Sequence, residues 1–302
     1  MNLEDKAVIV TGAAQGIGKA YARAILDEGG KVVAADIDAE RLAALKEEVG
    51  DQADRLSVVT SDITSWDAAG ELVSGAVETF GRLDGLVNNA GIYDVRRAEE
   101  NDEAIIRLQV EVNMLGTMFC GVHALRVMLE QGSGSLINIT SGAMVGLPLR
   151  GIYSATKAGA AALSWSWAQD VAGTGVRVNT VSPLARTRQL DAAANYLKVP
   201  HDTLLRNIPP EINACVVTYL LSDAASDLNG QTVRISDDVL TLIGKPDIHR
   251  PVVTLTEHTY DEVKAAFDTT LREHLTAVGA PNWSPVGRQG DLAPQAGSSG
   301  KK

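Results

Sequence analysis

Residues 7–18, AVIVTGAAQGIG, decide how the rest of the chain is read. A short unbroken apolar run, Ala7–Thr11, leads straight into a turn carrying Gly12, Gly16 and Gly18. Unbroken apolar runs of this length suit strands buried on both faces of a parallel sheet. Glycine lets the chain turn sharply and lets a phosphate approach the backbone. The helix that follows offers free amides and the positive end of its dipole. The spacing is not the common G-x-G-x-x-G, and an ordinary tight strand-to-helix turn has the same look. Segments further out must separate the two.

Working outward, the same alternation recurs. Strands are predicted at Ala7–Thr11, Lys31–Asp36, Leu56–Ser61, Leu83–Asn88, Ser135–Thr140, Val176–Val181 and Gln231–Ile235. Helical patterns fall near 17–29, 39–49, 67–80, 103–130, 153–173 and 211–222. Ser65 and Asp67 open the third helix, and Gly29-Gly30 closes the first. Repeated strand–helix units predict right-handed crossovers and an α/β fold with a doubly wound parallel sheet of about seven strands. Residues 1–239 form that single domain and 240–283 an extension, in which Leu240–Gly244 and Pro251–Thr256 read as extended. From Tyr260, the spacing of Val263, Phe267 and Leu271 gives one apolar helical face, with Ala266 beside it. Such a face must bury itself on its own domain or on a neighbouring subunit. The long connection 184–210 is expected to overlie the sheet's carboxyl edge as a lid. Residues 284–302, rich in Gly, Pro and Ser, are expected to be disordered.

Composition narrows the function. The 302 residues are 45% hydrophobic and 22% charged, as in a soluble globular protein. A net charge of −11 argues against nucleic acid or an anionic membrane as partner, since either needs a basic face. No unbroken apolar run approaches the ~18 residues of a membrane span. The start, MNLEDKAVIVTG, is acidic before its first apolar run and predicts no secretory signal. Cys120 and Cys215 both lie in apolar helical patterns and read as two buried thiols in a reducing compartment, hence cytoplasmic.

Three further features follow the glycine turn in order. Asp36 ends the second strand eighteen residues after Gly18, where an acid would hydrogen-bond a ribose diol, although it could equally cap the next helix. Asp62, in SDIT, could accept a bond from an adenine amino group or cap a helix. LVNNAG, residues 86–91, sets two amides and a glycine at a strand's carboxyl edge. In GIYSATKAGAAALSW, residues 151–165, Tyr153 and Lys157 stand one helical turn apart on a common face.

Taken together, TGAAQGIG, Asp62, NNAG, Asn113, Ser141 and Tyr153-x-x-x-Lys157 resemble the short-chain dehydrogenase/reductase family over roughly residues 4–239. The resemblance implies a Rossmann-type domain, NAD(P)-linked hydride transfer, no metal, and homodimers or homotetramers built on the helices at 103–130 and 153–173. It assigns catalysis to Asn113, Ser141, Tyr153 and Lys157. Cofactor contacts are implied at Gly12, Gln15, Gly16, Ile17, Gly18, Asp36, Ile37, Asp62, Ile63, Asn89, Ala90, Gly91, Tyr153, Lys157, Pro183 and Thr187. Tyr153 would act as general acid and base, its pKa of ~10 drawn down by Lys157 and by the positive nicotinamide ring. Ser141 would hold the substrate oxygen. Thr140 competes for that role, because Ser141 stands one position closer to Tyr153 than is usual in the family. Asn113 would mark a helix kink whose carbonyl binds a water next to Lys157.

The chain departs from the family after Pro183, where Leu184-Ala185 replaces the usual glycine, and Thr187 comes one position early. SPLARTR, residues 182–188, is similar to the hydroxyacyl-CoA dehydrogenase part of multifunctional fatty-acid enzymes. The expected function is NAD-dependent interconversion of a small secondary alcohol and its ketone. The alternatives are a 3-hydroxyacyl or 3-oxoacyl thioester dehydrogenase/reductase and a non-catalytic dinucleotide sensor. Asp36 selects NAD over NADP, because it would repel a 2′-phosphate and neither Gln15 nor Ile37 supplies a basic partner.

Overall fold

A computed structural model describes residues 1–185, 194–196, 198, 208–246, 251–256 and 258–275. The strands are β1 (Ala7–Thr11), β2 (Lys31–Asp36), β3 (Leu56–Thr60), β4 (Gly85–Asn88), β5 (Gly134–Ile139), β6 (Val176–Ser182), β7 (Thr232–Ser236) and β8 (Val239–Leu242). They form one sheet in the order β3-β2-β1-β4-β5-β6-β7-β8, parallel throughout except for the last pair. The helices are α1 (Gly16–Asp27), α2 (Ala39–Glu48), α3 (Trp66–Phe80), α4 (Glu103–Val110), α5 (Thr117–Gln131), α6 (Gly151–Asp170), α7 (Ala214–Leu221) and α8 (Tyr260–Thr269).

Side chains alternate along each strand, so the sheet feeds two cores. Val8, Val10, Val32 and Ile137 join Tyr21, Ile25, Leu42 and Val217 on one face, under α1, α2 and α7. Ile9, Val33, Leu86 and Leu136 join Leu72, Cys120, Met128 and Ala168 on the other, under α3, α5 and α6. The strand order reverses between β1 and β4, which opens a crevice beyond their carboxyl ends.

The expected parallel sheet of about seven strands is present, the extension is refined in detail, and one cysteine is corrected. The sheet has eight strands, because the first run of the extension turns back and pairs antiparallel with β7, Val233 opposite Leu242. Pro251–Thr256 is irregular and pairs with no strand among the described residues. Helix α8 forms with Thr259 as its cap, yet Val263 and Phe267 stay 42% and 38% exposed while Ala266 is buried. The predicted apolar face is therefore only partly covered by the described part of this chain. Cys120 is buried beneath the sheet, but Cys215 faces outward from α7, and both thiols are free.

One length of helix also exceeds what unbroken runs suggest. Glu103–Gln131 runs 29 residues and, by length and composition, is apolar enough to cross a membrane. Its apolarity has a packing cause: Cys120, Ala124, Leu125 and Met128 lie against the sheet. The disordered tail expected at 284–302, and most of the 184–210 lid, lie outside the described residues.

Candidate active site

The crevice is a cleft of about 1450 Å³ lined at one end by Gly12, Gln15, Gly16, Ile17, Gly18, Asp36 and Asp62 and at the other by Ser141, Tyr153 and Lys157. Single small-molecule pockets hold roughly 300–1,000 Å³, so a dinucleotide and a substrate can share it.

At the first end, backbone sets the shape. Thr11 Oγ1 accepts from the amides of Asn89 and Ala90, and Asn89 Nδ2 donates to the carbonyls of Thr11 and Gly12. These bonds lash the end of β4 to the β1 turn. Gly12 has φ +66°, and a Cβ there would fall 2.7 Å from Ala90 Cα. At Gly18 a Cβ would fall 2.1 Å from the Gly12 carbonyl oxygen, so the helix start can approach the turn only without a side chain. Gly16 has open space before it.

The start of α1 has Gln15 as a cap that makes no side-chain bond, and no acid in its first turn. Helices α2, α3, α4 and α8 are instead capped by Asp38, Ser65, Asp102 and Thr259. Uncapped amides over an open cradle fit dinucleotide phosphates. Asp38 caps α2, so Asp36 is not spent on that helix, and its carboxylate accepts from the Ala14 and Asp38 amides. Asp62 accepts from the amide and hydroxyl of Thr64 in a local turn. Ile37 stands exposed at the rim and Ile63 is buried against Gly116. Gln15, Ile17, Asn89, Ala90, Gly91 and Pro183 all line the cleft. Where the usual glycine after Pro183 is missing, Asn213 clamps both the amide and the carbonyl of Leu184. Thr187 lies outside the described residues.

At the second end, side chains set the shape. A buried chain of amides, Asn88 to Asn138 at 2.9 Å and Asn138 to Ser164 at 2.8 Å, ties β4, β5 and α6 together. Between α4 and α5 the helix widens into a π turn, Glu111–Gly116. Asn113 sits inside it, fully buried, and both bonds of its side chain to Ile92 hold the loop after NNAG. Its own carbonyl accepts from Thr117 Oγ1. The expected kink is thus an extra residue within the helix.

The two rival hydroxyls part ways. Thr140 Oγ1 donates to the Lys157 carbonyl at 2.7 Å and is spent on helix packing. Ser141 Oγ accepts from the Ala143 amide and shares the cleft wall with Tyr153, whose pKa it draws down. Lys157 Nζ donates to the Ile139 carbonyl at 2.9 Å and lies 5.9 Å from the Tyr153 ring centre.

Together, the protein groups around Tyr153 do not by themselves draw its pKa down. Burial pushes it up to about 12, and Tyr93 adds to the rise, against Ser141 and the positive Arg150. Burial likewise pulls Lys157 down to about 8. The lysine is aimed at a carbonyl, so desolvation outweighs its attraction for a phenolate.

Sequence reading missed three cleft residues. Tyr93 packs edge-on against Tyr153 at 4.7 Å, and Arg150 Nε donates to its hydroxyl at 2.6 Å. Arg234, buried on β7, bonds Ser182 Oγ, and burial pulls its pKa down to about 10. Arg150 could have been found, since it stands one helical turn before Tyr153. Tyr93 and Arg234 belong to no motif.

Comparison with known proteins identifies the family. The short chain dehydrogenase family model matches residues 6–194. Among curated relatives, the chain is 35% identical to the 3-oxoacyl-(acyl-carrier-protein) reductase FabG of Thermotoga maritima, over 78% of this chain and 98% of that one. It is 37% identical to a cis-4-hydroxycyclohexanecarboxylate dehydrogenase of Sinomonas cyclohexanicum, over 76% and 95%. A crystal structure of a short chain dehydrogenase from Mycobacterium avium superposes with a TM-score of 0.80 at 29% identity, covering 93% of this chain and 99% of that one. With the glycine turn, the NNAG edge and the Tyr153–Lys157 helix converging on one crevice, the chain belongs to the short-chain dehydrogenase/reductase family.

Proposed function

We propose that this chain interconverts a secondary alcohol and its ketone with NAD as hydride carrier and Tyr153 as general acid and base. The observation that carries the reading is the meeting of Tyr153 and Ser141 on one wall of a cleft whose other end offers uncapped helix amides and Asp36. Bound in that cradle, NAD supplies the hydride acceptor, or NADH the donor. Ser141 holds the substrate oxygen, and Tyr153 Oη passes or takes its proton. Asn113 and the amide chain keep the wall rigid, and Lys157 stands behind Tyr153.

With its pKa near 12, Tyr153 is a neutral phenol at pH 7, ready to donate to a ketone oxygen. To act as base at that pH it needs added stabilisation of the phenolate. Cationic charge close by is the natural source.

NAD is favoured because Asp36 faces the ribose position. Arg41, which also lines the cleft, is already paired with Asp38 and so offers little to a 2′-phosphate. Titration of both oxidised cofactors tests this: NAD should bind at least tenfold tighter, and Asp36→Ala should erase most of the difference. Tighter NADP binding by the wild type overturns the assignment. A spectrophotometric panel of secondary alcohols and ketones, following NADH, tests the reaction itself. The likeness to a 3-oxoacyl reductase supports a second reading, a thioester substrate, which the same panel separates. We also propose a homodimer or homotetramer and a cytoplasmic setting, both testable by sedimentation and fractionation.

A further inference from the structure

Arg150 is a cation built into the substrate wall and not spent on an acid. Arg82, Arg96 and Arg107 each close on a nearby carboxylate. Arg150 instead donates from Nε to the Tyr93 hydroxyl at 2.6 Å and from Nη1 to the Pro148 carbonyl at 2.9 Å. Among the described residues nothing takes up its Nη2. Because the Tyr93 oxygen already accepts from Arg150, its own proton is left to point elsewhere. A half-buried guanidinium and a phenol are therefore pre-arranged side by side as donors, facing the cleft.

Distance limits what they can hold. The Tyr93 ring touches the Tyr153 ring, and the Arg150 guanidinium lies 5.8 Å from the centre of the Tyr93 ring. The donors are thus two ring contacts from the general acid, a few bonds along a substrate rather than the length of a coenzyme arm. The walls between are apolar, with Ile92, Leu108, Val112, Leu147 and Leu184 among them. Glu111 is the acid in this half, and it makes no described pair with Arg150, while Lys157 and Arg234 add positive charge.

We propose that Arg150, with the Tyr93 hydroxyl, binds the carboxylate of a compact hydroxy acid or oxo acid whose alcohol or ketone lies on Tyr153 and Ser141. This rests on the alcohol–ketone reading above and names its substrate class. Planar guanidinium donors match a carboxylate in a way that water-facing lysines do not. A site built for such a bond discriminates strongly against a substrate lacking it, since the desolvated donors are then left unmet.

The test uses the NAD-loaded full chain. kcat/KM for cis-4-hydroxycyclohexanecarboxylate and for cyclohexanol is measured in wild type, Arg150→Gln, Arg150→Lys and Tyr93→Phe. The acid should be preferred about a hundredfold by wild type. Arg150→Gln should cut that ratio at least tenfold, chiefly through the acid's KM, and Arg150→Lys should restore part of it. Tyr93→Phe should cut it less. Equal use of the neutral alcohol by wild type, or a ratio unmoved in Arg150→Gln, overturns the proposal. If neither alcohol is oxidised, the dehydrogenase reading fails, and calorimetry with cyclohexanecarboxylate and its carboxamide still decides this one. Preference for the acid that disappears in Arg150→Gln supports it, and equal binding of acid and amide overturns it.

Discussion

The two ends of the cleft are made of different material. Around Gly12 and Gly18 the wall is backbone, and the critical property is the lack of a side chain: an added Cβ would sit 2.1 Å from a carbonyl oxygen. Around Tyr153 the wall is side chains from β5, the π turn, α6 and the loop after β4, each held by a partner distant in sequence. The first end is shaped by close backbone approach and by the direction of its amides. The second depends on desolvated groups whose protonation is set by their neighbours. Damage to the first should therefore read out as binding, and damage to the second as rate.

The largest effect expected is at the second end. Tyr153→Phe should lower turnover about a thousandfold or more while cofactor affinity stays within about twofold of wild type. A variant that keeps a tenth of the wild-type rate would remove Tyr153 as the proton carrier. At the first end, Gly18→Val should weaken cofactor binding about a hundredfold and lower stability by about 1–3 kcal/mol, through the clash with Gly12. Unchanged affinity would erase the contrast between a backbone wall and a side-chain wall.

Ser141→Ala and Thr140→Val sharpen the comparison within one strand end. Ser141→Ala should cost about tenfold or more in kcat with little change in melting temperature. Thr140→Val should cost about 0.5–1.5 kcal/mol of stability by removing the second bond on the Lys157 carbonyl, with a smaller effect on rate. The reverse pattern would exchange their roles.

The smallest effect concerns pH. Lys157 has its folded pKa lowered from 10.5 to about 8, so the folded state resists a charge that the unfolded chain accepts. That penalty is full below pH 8 and fades as pH rises toward 10.5. Lys157→Met, inactive or not, should therefore raise the melting temperature by a few degrees at pH 7, and the gain should shrink between pH 8 and 10.5. A gain that grows over that range would mean the lysine is not held against its charge.

Much of the first end is legible from residues alone because its determinants are local. The run Ala7–Thr11 is a strand with those very bounds, and Gly12 takes the positive φ that a tight turn demands. Lys31–Asp36 and the spacing of Tyr153 and Lys157 on one helix are read in the same way. Where a pattern has two uses, local reading stalls. Asp36 and Asp38 both suit a helix cap, and only the fold assigns the cap to Asp38. Val263 and Phe267 have a helix's apolar period, which says that a helix forms but not what covers it.

Periodicity, glycine turns and strand-end amides thus determined the α/β alternation, the glycine turn at one end of the cleft and the helical spacing of Tyr153 and Lys157. Those features depend on dihedral preferences and side-chain spacing within a few residues. Which hydroxyl is free of the Lys157 carbonyl, that burial raises the Tyr153 pKa, and that Arg150 reaches Tyr93 were decided by tertiary packing alone. Desolvation and hydrogen-bond direction belong to the space between elements, and there Tyr93 and Arg150, 57 positions apart, become neighbours.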